Sequence, residues 1–386
     1  MTSRIFISAL AMFSFVTLCA RGDIITVRGK DPINGIVTKE GAAEVTVSTT
    51  AAKGKKVDVK IPAADIIDIQ HDAISPGTLT IKGGAFRDGK DAEKEADEGT
   101  TAAARTKAMT TAIAKYTETL KKMARDTQAQ RYAARHIEYK IAMLTVKQLS
   151  ADQTTQEKAI ERLRGFQKSF PDSWQLNITM PLVAQLHMEA GEFKQAETIY
   201  DEMASMTEFP ADVRREAELK VIRVSVKAGN IPLAQKKLDA LEKKAGADKL
   251  FVSLVQLERA NVLVSLAASE KAVDVRLKKF DEAVPLLQKV IRENSDNQVK
   301  AIAHNMLGEC FYRAEKYKEA VWEFLWVDAV FNQDKQQQAK ALYFLKLTFE
   351  KLGDGPRAQE CRETLLNDRQ FSGTEYQRKA NAEKAK

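Results

Sequence analysis

The side chains best suited to metal binding, proton transfer or nucleophilic attack are four histidines and three cysteines among 386 residues. They are His71, His136, His187, His304, Cys19, Cys310 and Cys361. No two histidines have the HExxH or HxxxH spacing that places both imidazoles on one helix face, and no cysteines form a CxxC pair. We therefore predict no metal site, no cofactor and no enzymatic activity, and we interpret each histidine as a helix-face or loop residue. Cys310 and Cys361 stand at apolar positions of helical patterns, which predicts small buried side chains.

Catalysis by residues that only the fold brings together stays an alternative. Such a hydrolase would show carboxylates converging in a deep pocket, with pKa values shifted by their surroundings. At the level of sequence motifs there is no nucleophile elbow and no Ser/His/Asp arrangement.

One stretch is similar to a phosphate-binding loop. "GAFRDGKD" (84–91) matches G-x-x-x-x-G-K, but Asp91 stands where a Mg²⁺-binding Ser or Thr is required. Asp88 and Asp91 would also place two carboxylates beside a polyphosphate, and the chain lacks the β/α alternation of nucleotide-binding folds. We interpret 76–104 as a linker instead, Gly-rich at first and then polar and mobile in "KDAEKEADEG".

The first 20 residues have the layout of a secretory signal peptide. A positive charge at Arg4 precedes a fifteen-residue apolar run that ends at Cys19. Such a run is shorter than the about 20 residues of a membrane span, and no later run approaches that length. Export to a bacterial periplasm or cell envelope, or secretion, is therefore expected. Cleavage after Ala20 and lipid attachment at Cys19 both stay open, although Leu18 is a poor match for the small residue that a lipoprotein carries there.

The net charge of +7 is unevenly distributed along the chain. Residues 105–168 hold fourteen Lys or Arg against six Asp or Glu, whereas residues 169–333 hold twenty-two against twenty-five. The basic segment is either a solvated face or a docking surface for an anionic partner, such as an envelope polymer.

Residues 21–75 show an alternation with a period of two. Five runs, "DIITVRG", "NGIVTKE", "AEVTVST", "KVDVKIP" and "ADIIDIQ", are rich in β-branched residues and separated by Gly or Pro. They predict five short strands in a small barrel or curled sheet. The arrangement resembles SH3-like or Sm-like barrels. Eight basic and eight acidic residues balance in this segment, so no nucleic-acid binding is expected.

From residue 105 to 369 the apolar residues follow helical spacing. Six segments have a matching alanine, namely Ala159, Ala196, Ala234, Ala283, Ala320 and Ala358. The intervals are 37, 38, 49, 37 and 38 residues, and the long one contains an insertion near 269–279. A fixed period of this length predicts stacked helical hairpins.

These segments resemble the tetratricopeptide repeat, a helix–turn–helix unit. In the best copy, "LGECFYRAEKYKEAVWEFLWV", the large and small positions of the repeat are occupied in register by Leu307, Gly308, Phe311, Ala320 and Phe324. The resemblance implies a mainly α fold, an α-solenoid of about six hairpins behind the small β domain. Trp322 and Trp326 are expected to pack against the next hairpin, and residues 370–386 to form a polar tail.

A solenoid of this kind implies a groove lined by the first helix of each hairpin, where a segment of a partner protein binds. The residues predicted to face it are Arg223, Lys227, Asn305, Glu309, Tyr312, Arg313 and Tyr343. We therefore predict an exported protein–protein interaction scaffold. The alternative is a polymer-binding or enzyme-associated module that uses the basic segment 105–168. Membrane association is expected only through an anchor at Cys19.

Overall fold

A computed structural model describes residues 22–50, 55–72, 84–149, 153–246, 248–371 and 374–384. The predicted signal peptide (1–20), with Cys19, and the first part of the predicted linker (76–83) lie outside these residues. The chain divides into two compact units, Met1–Thr179 and Met180–Lys386. The predicted mainly α fold with a small sheet at its start is confirmed.

The first unit begins with an antiparallel sheet, and each predicted alternating run is one of its strands. The strands are β1 (Asp23–Val27), β2 (Ile33–Glu40), β3 (Glu44–Thr50), β4 (Lys56–Pro62) and β5 (Ile66–Gln70). Their order is β4-β3-β2-β1-β5. Register shifts between β1 and β5 and between β2 and β3 mark bulges, which bend a sheet and increase its twist.

One face of the sheet is buried against helical residues of the same unit. Every second side chain of β1 and β3 is buried, including Ile25 and Val47, as alternation requires. The same apolar cluster contains Tyr132 and Trp174. The β module is therefore packed into the first unit and does not form a separate core.

Four helices and the start of a fifth complete this unit. They are α1 (Ala85–Glu98), α2 (Ala102–Lys122), α3 (Gln128–Lys147), α4 (Gln153–Ser169) and α5 (Leu176–Glu189), which continues into the second unit. Consecutive helices from α1 to α4 pack against each other.

Helix α1 corrects the interpretation of 76–104 as a linker with a mobile polar part. Gly89, Ala92 and Ala96 form a stripe of small residues that is buried on α2. A Cβ at Gly89 would lie 2.7 Å from Cε1 of Tyr116. The glycine that completed the phosphate-loop pattern is thus required for close helix packing.

The second unit is built from helices throughout its described residues. They are α6 (Phe193–Ser205), α7 (Ala211–Lys227), α8 (Ile231–Ala245), α9 (Lys249–Ser269), α10 (Val273–Glu293), α11 (Asn297–Arg313), α12 (Tyr317–Ala329), α13 (Lys335–Leu352), α14 (Gly355–Asn367) and α15 (Glu375–Lys384). Each helix from α6 to α14 packs on the next, and α7, α9, α11 and α13 also pack on one another in series.

The six predicted second-helix segments are α4, α6, α8, α10, α12 and α14. The alanine of each segment is buried, as the repeat pattern predicts. The long interval between Ala234 and Ala283 comes from α9 and α10, which both have 21 residues. The extra residues lengthen one hairpin, so the array is not interrupted there.

Packing within the best repeat follows the prediction. A Cβ on Gly308 would lie 2.6 Å from Cε1 of Phe324, so the two helices approach as closely as glycine permits. Leu307 is buried, and Phe311 packs on the same apolar clusters from a half-buried position. Ala320 and Phe324 are fully buried between α11 and α13.

Helix α9 alone, among the described residues, is long and apolar enough to cross a membrane. Core helices of soluble proteins pass the same test, and α9 is largely engaged by α7, α8, α10 and α11. It also carries Glu258 and Arg259 in its middle. We interpret it as a repeat helix.

Candidate functional site

Four of the seven predicted groove residues contact the next first helix along the array. Arg223 of α7 donates from Nε to the carboxylate of Glu258 on α9. The Glu258 side chain is only 2% exposed, and an ionised carboxylate at such a depth requires a charged partner. Asn305 of α11 donates from Nδ2 to the backbone oxygen and to Oε1 of Gln337 on α13, at 3.0 Å each.

The other two contacts lie further along the chain. Glu309 of α11 forms an ion pair with Lys340 of α13. The hydroxyl of Tyr343 on α13 donates to Oε1 of Glu383 on α15 at 2.6 Å. We name these contacts the first-helix ladder: Arg223–Glu258, Asn305–Gln337, Glu309–Lys340 and Tyr343–Glu383. The side chains predicted to bind a partner thus hold neighbouring repeats together.

The remaining three predicted groove residues differ from one another. Tyr312 packs its ring edge-on against Tyr317 and Phe344, at centroid distances of 5.7 and 5.9 Å, and so belongs to the packing. Lys227 and Arg313 are exposed. Each lies at the carboxyl end of its helix, α7 or α11, where a cation also favours the helix dipole.

The predicted polar tail at 370–386 contains helix α15. Lys346 of α13 donates to Oε2 of Glu383 at 2.6 Å, beside the Tyr343 contact. The ring of Tyr376 lies 5.5 Å from that of Tyr343, and Ala380 is buried. The last helix therefore packs on α13 through one apolar stripe and through the carboxylate of Glu383.

The charges around the start of α15 are predominantly positive. Burial opposes ionisation of Glu375, but its hydrogen bond with Lys379 and the charges of Lys379, Lys227 and Lys340 lower its pKa below the usual range. Lys227 of α7 thus acts electrostatically on a residue far along the chain. The cations of the first helices therefore stabilise the ionised form of a nearby carboxylate.

The second helices present a different kind of surface. The expectation that Trp322 and Trp326 pack against the next hairpin is wrong, because their side chains are 68% and 48% exposed. Helix α12 directs Phe324 and Val327 into the core instead. Trp326 stacks on His304 and Phe331 at centroid distances of 6.0 and 6.2 Å, whereas Trp322 borders a cavity.

That cavity, of about 650 Å³, runs between α12 and α14 with α13 as its floor. We name it the α12–α14 channel. Its lining comprises Lys318, Val321, Trp322, Leu325, Asp328, Leu342, Leu345, Phe349, Leu352, Arg357, Glu360, Cys361 and Thr364. Most of these side chains are apolar. In the stretch "VWEFLWV" apolar residues lie on every face of the helix, so the sequence does not show which aromatic side chain is exposed.

A buried cluster of charges lies in the first unit, where the sheet meets α3. His71 has Asp23 Oδ1 at 3.6 Å from Nδ1 and Glu40 Oε1 at 3.3 Å from Nε2. Burial alone would lower the pKa of His71, but the two carboxylates raise it to about 9. Arg135 of α3 adds a second cation, 3.3 Å from Glu40 Oε2.

The other histidines lie on helices, as interpreted, and each has a carboxylate partner. Burial, and then the charge of His71, hold the pKa of His136 well below its usual value, with Asp68 Oδ1 3.6 Å from its Nε2. His187 and His304 each contact a carboxylate through Nδ1, at 2.6 and 2.7 Å. The carboxylates of the cluster are buried and neutralised by cations, so they do not form an open catalytic pocket.

Within the described residues, no group of three or more His, Cys, Asp or Glu side chains is arranged to hold a metal ion. Cys310 is buried, as predicted, and Cys361 is half-buried in the wall of the channel. Burial, reinforced by nearby carboxylates, raises the pKa of both thiols to about 12, so neither is a reactive thiolate at neutral pH.

One segment of the array matches a known repeat family. The tetratricopeptide repeat model matches residues 273–327, which contain α10, α11 and most of α12. Residues 273–327 therefore match a tetratricopeptide repeat. The predicted repeat positions Leu307, Gly308, Phe311, Ala320 and Phe324 all lie in the matched segment. No curated protein matches the chain.

The comparison with solved structures gives matches of low sequence identity and low TM-score. A tetratricopeptide repeat protein from Parabacteroides merdae is 10% identical, with a TM-score of 0.44 over 76% of this chain and 99% of that one. BtubC (BKLC) from P. vanneervenii is 15% identical, with a TM-score of 0.36 over 60% and 90%. A chain of the APC/C hetero-tetramer Cut9–Hcn1 is 15% identical, with a TM-score of 0.35 over 79% and 64%. These scores are low, so the repeat assignment depends on the family match and on the hairpins themselves.

Proposed function

We propose that this protein is an exported, non-catalytic scaffold whose first helices bind an acidic segment of a partner protein. Tetratricopeptide repeats generally serve protein–protein interaction, because stacked hairpins present a long continuous surface. The predicted signal peptide motivates export. The small sheet, for which we keep the prediction of an SH3-like or Sm-like barrel, would tether or recruit.

The observation that carries the proposal is the way in which α15 binds α13. The chain's own last helix binds α13 through Glu383, which accepts hydrogen bonds from Lys346 and Tyr343. The same face continues to Lys227 and Arg313, which are exposed. A helical segment with carboxylates is therefore the kind of ligand that these side chains favour, since charge-assisted hydrogen bonds are the stronger ones.

The basic segment 105–168 gives less support to a polymer-binding function. Its lysines Lys115, Lys140 and Lys147 form ion pairs with Asp88, Glu93 and Asp97 of α1, at 3.4, 3.0 and 3.1 Å. The acidic helix that was interpreted as a linker thus neutralises part of the basic face. We therefore favour a protein partner over an envelope polymer.

Binding is tested with a labelled helical peptide that carries two glutamates eight residues apart, the spacing of Glu375 and Glu383. The proposal predicts binding to the full chain that weakens about tenfold in the double variant Lys227→Ala/Arg313→Ala, because two surface cations are lost. The matched control is Lys236→Ala/Lys243→Ala, which removes two exposed cations of α8. Equal affinities in both double variants, or no binding by the parent chain, would contradict the proposal.

Export is tested separately, by fractionating cells that express the full chain and determining the mature N-terminus. The proposal predicts a periplasmic or envelope protein that begins after Ala20 or carries a lipid on Cys19. A cytoplasmic protein that retains residues 1–20 would refute export and leave the binding proposal standing.

A further inference from the structure

The α12–α14 channel has a continuous apolar floor. Four residues of α13, spaced three or four apart, face it along three turns of the helix: Leu342, Leu345, Phe349 and Leu352. Val321, Trp322 and Leu325 of α12 form one wall, and Cys361 lies in the wall from α14. Trp322 is 68% exposed, so a large aromatic side chain stands in solvent at the edge of this floor.

This apolar character is not shared by α8, another second helix of the array. A cavity of about 660 Å³ along α8 has a similar size. Its lining is Pro232, Gln235, Lys236, Asp239, Ala240 and Lys243, which is mostly polar or charged. An apolar channel with an exposed tryptophan therefore distinguishes the hairpins near the end of the array, and exposed apolar surface of this kind marks an interaction site.

The walls restrict the type of occupant. All three sides of the channel are helices, whose inner backbone groups are already hydrogen-bonded, so no sheet edge is present to which a β-strand could be added. The polar lining residues Lys318, Asp328, Arg357, Glu360 and Thr364 lie on the walls, whereas the floor has only leucine and phenylalanine side chains and offers a polar ligand no hydrogen-bond partner. An amphipathic helix needs no sheet edge, because its backbone groups are paired within the helix, and it can place its apolar face on the apolar floor.

The two ends of the channel carry opposite charges. Helices α12 and α14 are both antiparallel to α13 because short turns join them to it, so their first turns lie at the same end. Lys318 and Arg357 are in those first turns, with Arg357 3.5 Å from Asp354 and over the ring of Phe349. The dipoles of α12 and α14 are positive at this end and that of α13 is negative there, so the positive charge comes from the Lys318 and Arg357 side chains.

Negative charge lies towards the opposite end. Asp328 is in the last turn of α12, where it accepts a hydrogen bond from Gln338 at 3.0 Å. Glu360 is on the α14 wall between the two ends. An occupant of complementary charge therefore has carboxylates at the Lys318 end and cations at the Asp328 end.

The length of the channel sets the length of the occupant. Helix α12 has 13 residues, and at about 1.5 Å per residue the wall extends for about 20 Å. A partner helix of three to four turns would span the distance between the charged ends.

We propose that the α12–α14 channel is a second docking site, which takes an amphipathic helix of a partner protein with an acidic and a basic end. The site is separate from the first-helix face and does not depend on the function proposed above. Trp322 covers the apolar face of the bound helix, and Lys318 and Arg357 fix its direction.

The test uses the full chain and a labelled synthetic helix of about 14 residues. The peptide has leucines on one face, glutamates at one end and lysines at the other. Fluorescence anisotropy is expected to show saturable binding of one peptide per chain, weakened about tenfold by Trp322→Ala because an exposed aromatic anchor is lost. Reversal of charge in Lys318→Glu/Arg357→Glu is expected to weaken binding further as salt is lowered.

Trp326→Ala is the matched control, since this second tryptophan of α12 is stacked on His304 and Phe331 and does not line the channel. It is expected to leave the affinity within about twofold of the parent value. Equal losses in both tryptophan variants, or no binding by the parent chain, would overturn the proposal. It would also be overturned by a Trp322-dependent dimer in sedimentation, or by a fatty acid that displaces the peptide, because the occupant would then be a second copy or a lipid.

Discussion

The first-helix ladder and the α12–α14 channel share helix α13 of one array, yet they use opposite chemistry. On the first helices, polar side chains reach across to the next hairpin and satisfy one another, as Arg223 and Glu258 do. In the channel, Trp322 and Leu352 are exposed apolar side chains, whereas the floor residues Leu342, Leu345 and Phe349 are buried. The ladder therefore contributes to the stability of the array, whereas the exposed Trp322 at the rim of the channel contributes little to it and is suited to a partner.

The largest effect is expected from a change that damages both surfaces. Phe324→Ala removes a fully buried ring that packs between α11 and α13 and stacks on Phe344 at 5.3 Å. We expect the free energy of unfolding to fall by about 3–5 kcal/mol, the usual cost of a cavity of that size. Denaturant unfolding of the full chain measures it. A loss below about 1 kcal/mol would show that the hairpins do not depend on this contact.

A ladder contact tests the comparison more selectively. Glu258→Ala leaves Arg223 without the carboxylate that it contacts, and we expect a loss of about 2–3 kcal/mol, because half of a largely buried ion pair is removed. Arg259→Ala is the matched control on the same helix, since its partners Glu242 and Asp239 are about half exposed. Its loss is expected to stay below about 1 kcal/mol. Equal losses would contradict the structural role of the ladder.

The buried charges of the first unit provide a third case, in which stability depends on pH. His71 has its pKa raised to about 9, so its pairing with Asp23 and Glu40 stabilises the fold fully below the unfolded value near 6.5. This contribution is lost as pH rises from 6.5 to 9, and we expect a decrease of about 1–3 kcal/mol. Urea unfolding at several pH values measures it.

His71→Gln removes the titrating group and should remove that slope, whatever its effect on stability at neutral pH. A parent protein whose stability is constant between pH 6.5 and 9 would contradict the pairing of His71 with the two carboxylates.

The smallest effect is expected at the last helix. Glu383→Gln weakens the contacts with Lys346 and Tyr343, and we expect α15 to lose about 0.5–1 kcal/mol of local stability. Faster hydrogen exchange in 375–384, with unchanged exchange in α11, is the expected result. Lys379, which pairs with Glu375 in the first turn of α15, offers the control Lys379→Gln. Unchanged exchange in Glu383→Gln would show that α15 is held by apolar packing alone.

The repetitive part of the fold could be predicted from the sequence, because alternation and helical period are local signals. All five strands and the buried alanines Ala159 to Ala358 followed from them. Helix α1 was missed because its apolar stripe consists of glycine and alanine, which weigh little in a hydrophobic pattern. The ladder was missed for another reason: Arg223 and Glu258 are 35 residues apart, and only stacking brings them together.

The channel shows a further limit of sequence interpretation. In "VWEFLWV" every position except one is apolar, so the period indicates a helix without revealing which side faces the core. Gly308 settles the question in the structure, because its missing side chain admits Phe324 and so turns Trp322 outward. The relevant information lies in a different helix from the residues that it orients.

A crossed comparison of Glu258→Ala and Trp322→Ala, each measured for both unfolding free energy and affinity for the amphipathic helix, tests the division between the two surfaces most directly. The account predicts that Glu258→Ala loses stability and keeps its affinity, whereas Trp322→Ala stays within about 0.5 kcal/mol of the parent in stability and loses its affinity. If Trp322→Ala were as unstable as Glu258→Ala, or if both variants lost affinity equally, the two surfaces would not have separate roles.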